Sequence, residues 1–385
     1  MRILQLVLAP RLSGAEMLVK GIAIAHRGGG HAVGIASLLP AEADFADAEQ
    51  ELAEHCVMCL FPRTRHEHLL RLACLYRAIR RFSPDVIFAH TTLPALYVRA
   101  LPLSVPIVFV IHSGTNDFAE DRWLRWAERL LSHRACAVMG VSQRNIDHYA
   151  ATIGPPRESF VVPNGVDADR FKFQRGGESG KAPGARRIVQ IGRYMPEKGQ
   201  LETVRAFHLA LASAREASKK RQGPPPPQLP LQLQLCGVIE DRGYHARIVS
   251  LVEQLGIGSN VLIEGPRTDV PALLAQADAF AMPSRFEAHS IGFLEALASG
   301  IPIVANAIDA FAFARDYPGV SLVDTSNAER FAKALGAALE QPRVARPLEG
   351  LTLADTARRY LEIARRVVTA CEPASARRRE VASRR

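Results

Sequence analysis

Two clusters of residues have the types and spacing to act on a phosphorylated, hydroxyl-rich substrate. The first is Val189-Gln-Ile-Gly-Arg193-Tyr-Met-Pro-Glu-Lys198-Gly199. An apolar run ends at Gly192, which permits a tight turn, and a helix is expected to start near Pro196–Glu197. Arg193 and Lys198 place two cations within that loop and helix start. A guanidinium binds phosphate oxygens in bidentate fashion, and an ammonium adds a mobile point charge. The segment reads as a diphosphate clamp; the plainer alternative is a surface loop with two ordinary charges.

The second cluster runs Met282-Pro-Ser-Arg-Phe-Glu287-Ala288-His289-Ser290-Ile291-Gly-Phe-Leu-Glu295, followed by Gly300 and Pro302. It predicts a strand over Ala279–Met282, a Pro-Ser turn, and a helix from about Ser290 to Ser299 stopped by Gly300. Helix-start amides bind anions, while Glu287 and Glu295 can accept hydrogen bonds from hydroxyl groups. Glu295 sits among Phe293, Leu294, Ala296 and Leu297, which argues against simple solvation on a helix face.

The elements that must hold these clusters follow from the rhythm of the chain. Short apolar runs at Ile3–Ala9, Ala32–Leu38, Val57–Phe61, Val86–His90, Ile107–His112, Ala137–Ser142 and Phe160–Pro163 alternate with helical patterns. After the GGESGKAPGA segment within Phe173–Arg186, read as a linker, the rhythm restarts. The new runs are Ile188–Ile191, Leu231–Cys236, Val261–Glu264, Ala279–Met282, Ile303–Ala305 and Val320–Val323. Such alternation predicts βαβ units around parallel sheets, and 385 residues exceed what one core usually holds. The class is α/β, with two Rossmann-like domains: residues 1–170 and 171–350, then a helix over 351–376 and a disordered basic tail over 377–385. The proline-rich Lys219–Pro230 reads as an exposed loop. Ligands of parallel sheets bind at the carboxyl ends of strands, where both clusters fall.

The pairing of Gly192-Arg193…Glu197-Lys198-Gly199 with Glu287-x7-Glu295 resembles the retaining family-4 glycosyltransferases of the GT-B fold, in which two facing Rossmann-like domains leave a cleft. Ser13-Gly14-Ala15-Glu16 is similar to that family's glycine loop, Pro163-Asn164-Gly165-Val166-Asp167 to its interdomain segment, and Gly265-Pro266 with Val270 and Leu274 to a loop near the nucleobase. The resemblance implies that Arg193 and Lys198 bind the donor diphosphate, Glu295 the ribose hydroxyls and Glu287 the transferred sugar. It implies that Gly14 lets the backbone approach the phosphates, and that His112, Asn164, Pro266, Ala288, His289, Ser290 and Ile291 line the substrate. It sets His112 at a sugar-contacting position. The run Ala288-His289-Ser290 departs from the family's usual loop, so the donor is not transferable from a relative.

The implied reaction moves a hexose-type sugar from a UDP- or GDP-linked donor to a saccharide or polyprenyl-linked acceptor, in cell-surface polysaccharide or lipopolysaccharide synthesis. No metal or other cofactor is expected, since the cations can neutralise the leaving diphosphate; Asp167-Ala168-Asp169 has D-x-D spacing but lies in the interdomain segment. Competing classes are a nucleotide-sugar epimerase or hydrolase of the same fold and a non-catalytic sugar-binding protein. No G-x-G-x-x-G follows the first run, which disfavours a dinucleotide-dependent oxidoreductase.

Composition adds limits. No secretory signal or membrane span is read, so the expected compartment is the cytoplasm. Cys56 and Cys59 form a lone C-x-x-C without a second ligand pair and are read as packing residues. The net charge of +9 is concentrated in Phe61–Phe82, with six arginines and one glutamate, and in Arg377–Arg385, with five arginines and one glutamate. No nucleic-acid motif accompanies either stretch. In the first, leucines at near-helical spacing between the arginines suggest a basic amphipathic helix on an anionic membrane surface; the alternative is that they face the sheet.

Overall fold

The computed structural model describes residues 1–62, 70–114, 117–171, 185–220 (side chains of 217–220 excepted) and 230–371. Three sequence readings fall almost wholly outside these residues: the linker, the basic tail and the proline-rich loop, whose first two residues, Lys219 and Lys220, continue a helix instead. The chain forms two compact units, Met1–Gly165 with Gly350–Arg385, and Val166–Glu349.

In the first unit the order is β1 (Arg2–Val7), α1 (Gly14–Gly28), β2 (Ala32–Ser37), α2 (Ala46–Glu54), β3 (Met58–Leu60), α3 (Arg71–Phe82), β4 (Val86–His90), α4 (Thr92–Ala100), β5 (Ile107–Ile111), α5 (Asp117–Glu120), α6 (Arg122–Leu131), β6 (Ala137–Gly140), α7 (Gln143–Thr152) and β7 (Ser159–Val161). The strands run parallel in the order β3-β2-β1-β4-β5-β6-β7. Both faces are covered, so β4 is buried along its whole length and reads as a continuous apolar run ending in histidine.

The second unit contains β8 (Arg186–Ile191), α8 (Gln200–Lys220), β9 (Leu231–Cys236), α9 (Arg242–Gln254), β10 (Val261–Glu264), α10 (Val270–Gln276), β11 (Ala279–Met282), α11 (Ile291–Ala298), β12 (Ile303–Asn306), β13 (Val320–Val323) and α12 (Ala328–Leu339). Its parallel sheet has the order β10-β9-β8-β11-β12-β13. In each sheet the order reverses once, between β1 and β4 and between β8 and β11. A crevice opens at such a reversal because the two following connections leave on opposite faces.

The last helix, α13 (Leu353–Cys371), returns to the first unit. His26 Nε2 lies 2.8 Å from the Ala357 carbonyl, Thr356 Oγ1 donates to the Pro163 carbonyl at 3.0 Å, and Tyr360 packs on Phe88 with ring centroids 5.0 Å apart. The units part at Gly165–Val166, just before the 170/171 boundary read from sequence.

The helix expected from Pro196–Glu197 begins later. Pro196–Lys198 forms one 3₁₀ turn, stopped by Gly199 at φ +70°, and α8 starts at Gln200. On α3, Leu75, Ile79 and Phe82 enter the core while Arg77, Arg80 and Arg81 are exposed. The sheet takes most of the apolar face that a lipid surface would need. Leu70 and Leu72 stay exposed; Arg63, Arg65 and Leu69 lie outside the described residues. Cys56 is exposed at φ 55°, so only Cys59 of that pair packs.

Candidate active site

The two clusters meet at the β8/β11 reversal of the second unit. Arg193 and Lys198 follow β8; Glu287 follows β11. Lys198 Nζ stands 2.7 Å from Glu287 Oε1, with side chains only 16% and 10% exposed. Arg193 is more open, and its guanidinium approaches Glu240 no closer than 3.8 Å.

The loop carrying these cations is held by its neighbours. Tyr194 is fully buried and its hydroxyl lies 2.8 Å from both the Leu235 and Glu264 carbonyls. Gln200 Nε2 donates to the Arg193 carbonyl at 2.9 Å, and Gln190 Nε2 to that of Lys198 at 2.7 Å. Two glycines permit close approach. A Cβ on Gly199 would lie 2.9 Å from the Pro283 carbonyl oxygen, and one on Gly237 would lie 2.0 Å from that of Gly192. The Arg285 amide donates to the Glu197 carbonyl at 2.8 Å, tying the two loops together.

Ser290 caps α11. Its hydroxyl accepts from the Phe293 amide and its carbonyl from the Leu294 amide. The amides of Ile291 and Gly292 have no intrahelical acceptor, by helix geometry. Ala288 is buried, and His289 stacks on Phe313 at 5.6 Å, where burial lowers the ring's pKa to about 4. Glu295, one turn into α11, is half-buried; desolvation pushes its carboxyl up to about 7, against the pull of Arg170. Pro266 is exposed after β10.

The first unit holds the other expected residues at its own strand ends. Gly14 opens α1 after β1, and Asn164 is buried beside the Pro163 carbonyl that α13 engages. His112 follows β5, and burial lowers its pKa to about 4. Sequence reasoning did not identify Tyr194, Gln200, Gly237 and Arg170, whose roles come from long-range packing. It also missed a patch on α6: Trp123, Trp126 and Leu130 are 71%, 61% and 56% exposed. Their i, i+3, i+7 spacing makes one stripe, with Arg122, Arg125 and Arg129 on the same helix. Among the described residues no helix is long and apolar enough to cross a membrane.

Comparison with known proteins agrees with this architecture. The model of Glycosyltransferase Family 4 matches residues 12–170, and that of Glycosyl transferases group 1 matches residues 174–350. A D-inositol 3-phosphate glycosyltransferase of Salinispora arenicola is 32% identical over 225 residues, 56% of this chain but 47% of that protein. The chain therefore spans about half the length of that relative. A GDP-mannose:cellobiosyl-diphosphopolyprenol alpha-mannosyltransferase of Xanthomonas campestris is 24% identical over 322 residues, 77% of this chain and 76% of that one. Anabaena Alr3699/HepE, solved in complex with UDP and glucose, shares the GT-B fold over the full length of both chains, with a TM-score of 0.71 at 19% identity. Two family models laid end to end over the two parallel-sheet units place this chain in the family-4, group 1 glycosyltransferases.

Proposed function

We propose that the protein transfers a hexose-type sugar from a nucleoside diphosphate sugar to an acceptor hydroxyl, with retention at the anomeric carbon. The observation that carries this reading is the Lys198–Glu287 pair at the β8/β11 reversal, in the loop that also carries Arg193. A cation prepared for a leaving diphosphate stands next to a carboxylate prepared for the sugar. Charge develops on the diphosphate as the glycosidic bond breaks, and fixed cations with helix-start amides stabilise it without reorganising. Glu295 receives the ribose hydroxyls; Ala288, His289, Ser290 and Ile291 shape the sugar loop, and Pro266 approaches the base. Gly14, His112 and Asn164 keep the substrate-lining roles that the resemblance implies.

GDP-mannose, named for the Xanthomonas relative, and UDP, bound in the Anabaena structure, support a UDP- or GDP-linked donor. The diphosphopolyprenol acceptor of the Xanthomonas relative supports a saccharide or lipid-linked acceptor in surface polysaccharide or lipopolysaccharide synthesis. For contact with an anionic membrane from the cytoplasmic side, α6 is a better candidate than α3. Its exposed tryptophans suit the headgroup level, with arginines alongside.

The test is a nucleotide-sugar screen for thermal stabilisation, followed by product analysis with lipid-linked acceptors. A glycosylated acceptor of retained configuration supports the reading. Release of free sugar or an epimer regardless of acceptor would assign the site to hydrolysis or epimerisation; binding without any product would leave a sugar-binding protein.

A further inference from the structure

On one face of the first sheet a line of polar groups crosses three adjacent strands. In parallel register Gln5 of β1 pairs with Phe88 of β4, and His90 of β4 pairs with Val110 of β5. The period-2 alternation of strands puts Gln5, Phe88, His90 and Val110 on one face, with His112 two residues beyond Val110. His90 is buried, with Nε2 2.7 Å from Gln5 Oε1 and Nδ1 2.8 Å from His112 Nε2. Tyr360 of α13 lies flat over the His90 ring, 6.2 Å between centroids and 13° between planes. His112 Nδ1 is buried with no hydrogen-bond partner among the described residues.

We propose that Gln5 and His90 are positioning residues that fix the tautomer of His112, leaving its Nδ1 as a bare acceptor for a substrate hydroxyl. A neutral imidazole has one N–H and one lone pair. The Gln5 carbonyl oxygen accepts from His90 Nε2–H, so His90 Nδ1 must be the acceptor. That nitrogen then receives His112 Nε2–H, and the remaining lone pair is at His112 Nδ1. Burial keeps His112 at about 4 and His90 well below its ordinary range, so both rings are neutral at pH 7. The backbone beside the line is constrained too. Thr91, the residue after His90, sits at φ +71°, ψ +170°. Non-glycine residues enter that region only where surrounding structure compels it, and such strain gathers at working sites.

Steric support alone would not require Gln5 and His90 to be polar, since apolar residues fill the neighbouring positions of the same strands. The inference rests on the glycosyltransferase reading only for the identity of the hydroxyl, which would belong to a sugar. The tautomer itself is a property of the protein at rest.

The experiment is two-dimensional ¹H–¹⁵N NMR of the histidine rings in the full-length protein at pH 7, on wild type, Gln5→Met, His90→Phe and His90→Asn, with donor kinetics in parallel. Wild-type His112 should be the Nε2–H form with unprotonated Nδ1. His90→Phe and Gln5→Met should give mixed tautomers. Loss of an orienting partner should lower kcat by about 10–100-fold, with KM for the nucleotide sugar within about 3-fold, the pattern of a contact made beyond simple donor binding. His90→Asn can present Oδ1 where Nδ1 stood and should restore the Nε2–H form and part of kcat. A wild-type His112 protonated on Nδ1, which is the outcome if the Gln5 amide donates instead, overturns the proposal. So does an unchanged His112 tautomer in His90→Phe. If wild type shows the expected tautomer but transfers no sugar, the relay stands and the glycosyltransferase reading fails.

Discussion

Lys198 Nζ and Glu287 Oε1, 89 residues apart in sequence, meet at 2.7 Å across the loops that follow β8 and β11. The pair neutralises itself at rest, so a diphosphate bound at Lys198, as proposed, would compete with Glu287 for the ammonium. On the proposed reading, Glu287 would then be freed toward the sugar as the phosphate takes over its partner. Arg193, half-exposed and loosely held by Glu240, would make the first contact on that reading.

Arg193→Ala and Lys198→Ala should each lower turnover by about 10²–10³-fold, the scale of losing one preorganised charge stabiliser. Steady-state kinetics on the purified variants checks this, and near-wild-type turnover in both would remove the clamp.

Glu295 should link nucleotide binding to pH. Its carboxyl is raised from 4.5 to about 7 by burial, so at pH 6 it is mostly protonated. Ribose hydroxyls donate to the ionised form, so binding of UDP or GDP should release up to one proton at pH 6 and almost none at pH 8, with affinity rising between the two. The folded protein holds a proton that the unfolded chain loses between pH 4.5 and 7, so this group's contribution to stability falls as pH rises through that window. Calorimetry in buffers of different ionisation enthalpy measures the release. Glu295→Gln should abolish it and weaken nucleotide binding, whereas Glu287→Gln should leave binding nearly intact and impair transfer. Equal losses of affinity in the two variants would contradict this division.

Activity should survive EDTA, because Arg193, Lys198 and the α11 amides can carry the diphosphate charge. Loss on chelation with recovery on adding magnesium or manganese would transfer that role to a metal.

Arg99 and Glu128 form a fully buried bidentate pair at 2.8 and 2.5 Å, and the Tyr149 hydroxyl donates to the same carboxylate at 2.7 Å. The trio joins α4, α6 and α7. Removing one charge strands the other in the interior, so Arg99→Met should cost about 3–5 kcal/mol of stability. Arg99→Met with Glu128→Leu should recover part of it. Urea unfolding of both variants decides whether desolvation or packing dominates.

Vesicle sedimentation should show binding to anionic and not neutral lipid, lost when Trp123, Trp126 and Leu130 are changed to Ser. Binding unaffected by those changes but lost in Arg71, Arg77, Arg80 and Arg81→Gln would return the contact to α3. Loss only on truncation before Arg377 would assign it to the basic tail.

The strands were legible because parallel sheets bury both faces, leaving continuous apolar runs: Val86–His90, Leu231–Cys236 and Ala279–Met282 agree residue for residue. The two motifs that meet through Lys198 and Glu287 were legible because each is short and lies just after a strand. The start of α8 was not, since Pro196-Glu197 is a good helix opening and only the left-handed Gly199 delays it. Nor was the polar line from Gln5 to His112, which depends on register between strands 85 residues apart. Amphipathic periodicity marked α3 as two-faced, but not that the sheet would claim its apolar side while the tryptophans of α6 remained outside.

The return of α13 to the first unit has a consequence for how the chain is made. The ribosome delivers β1 to β7 first, then the whole of the second unit, and only then the helix whose Tyr360 covers Phe88 and His90. The second unit is contiguous and can close as it emerges, whereas the first waits with that sheet face uncovered until the last helix leaves the exit tunnel. Of the two units, the one begun first is thus the one completed last.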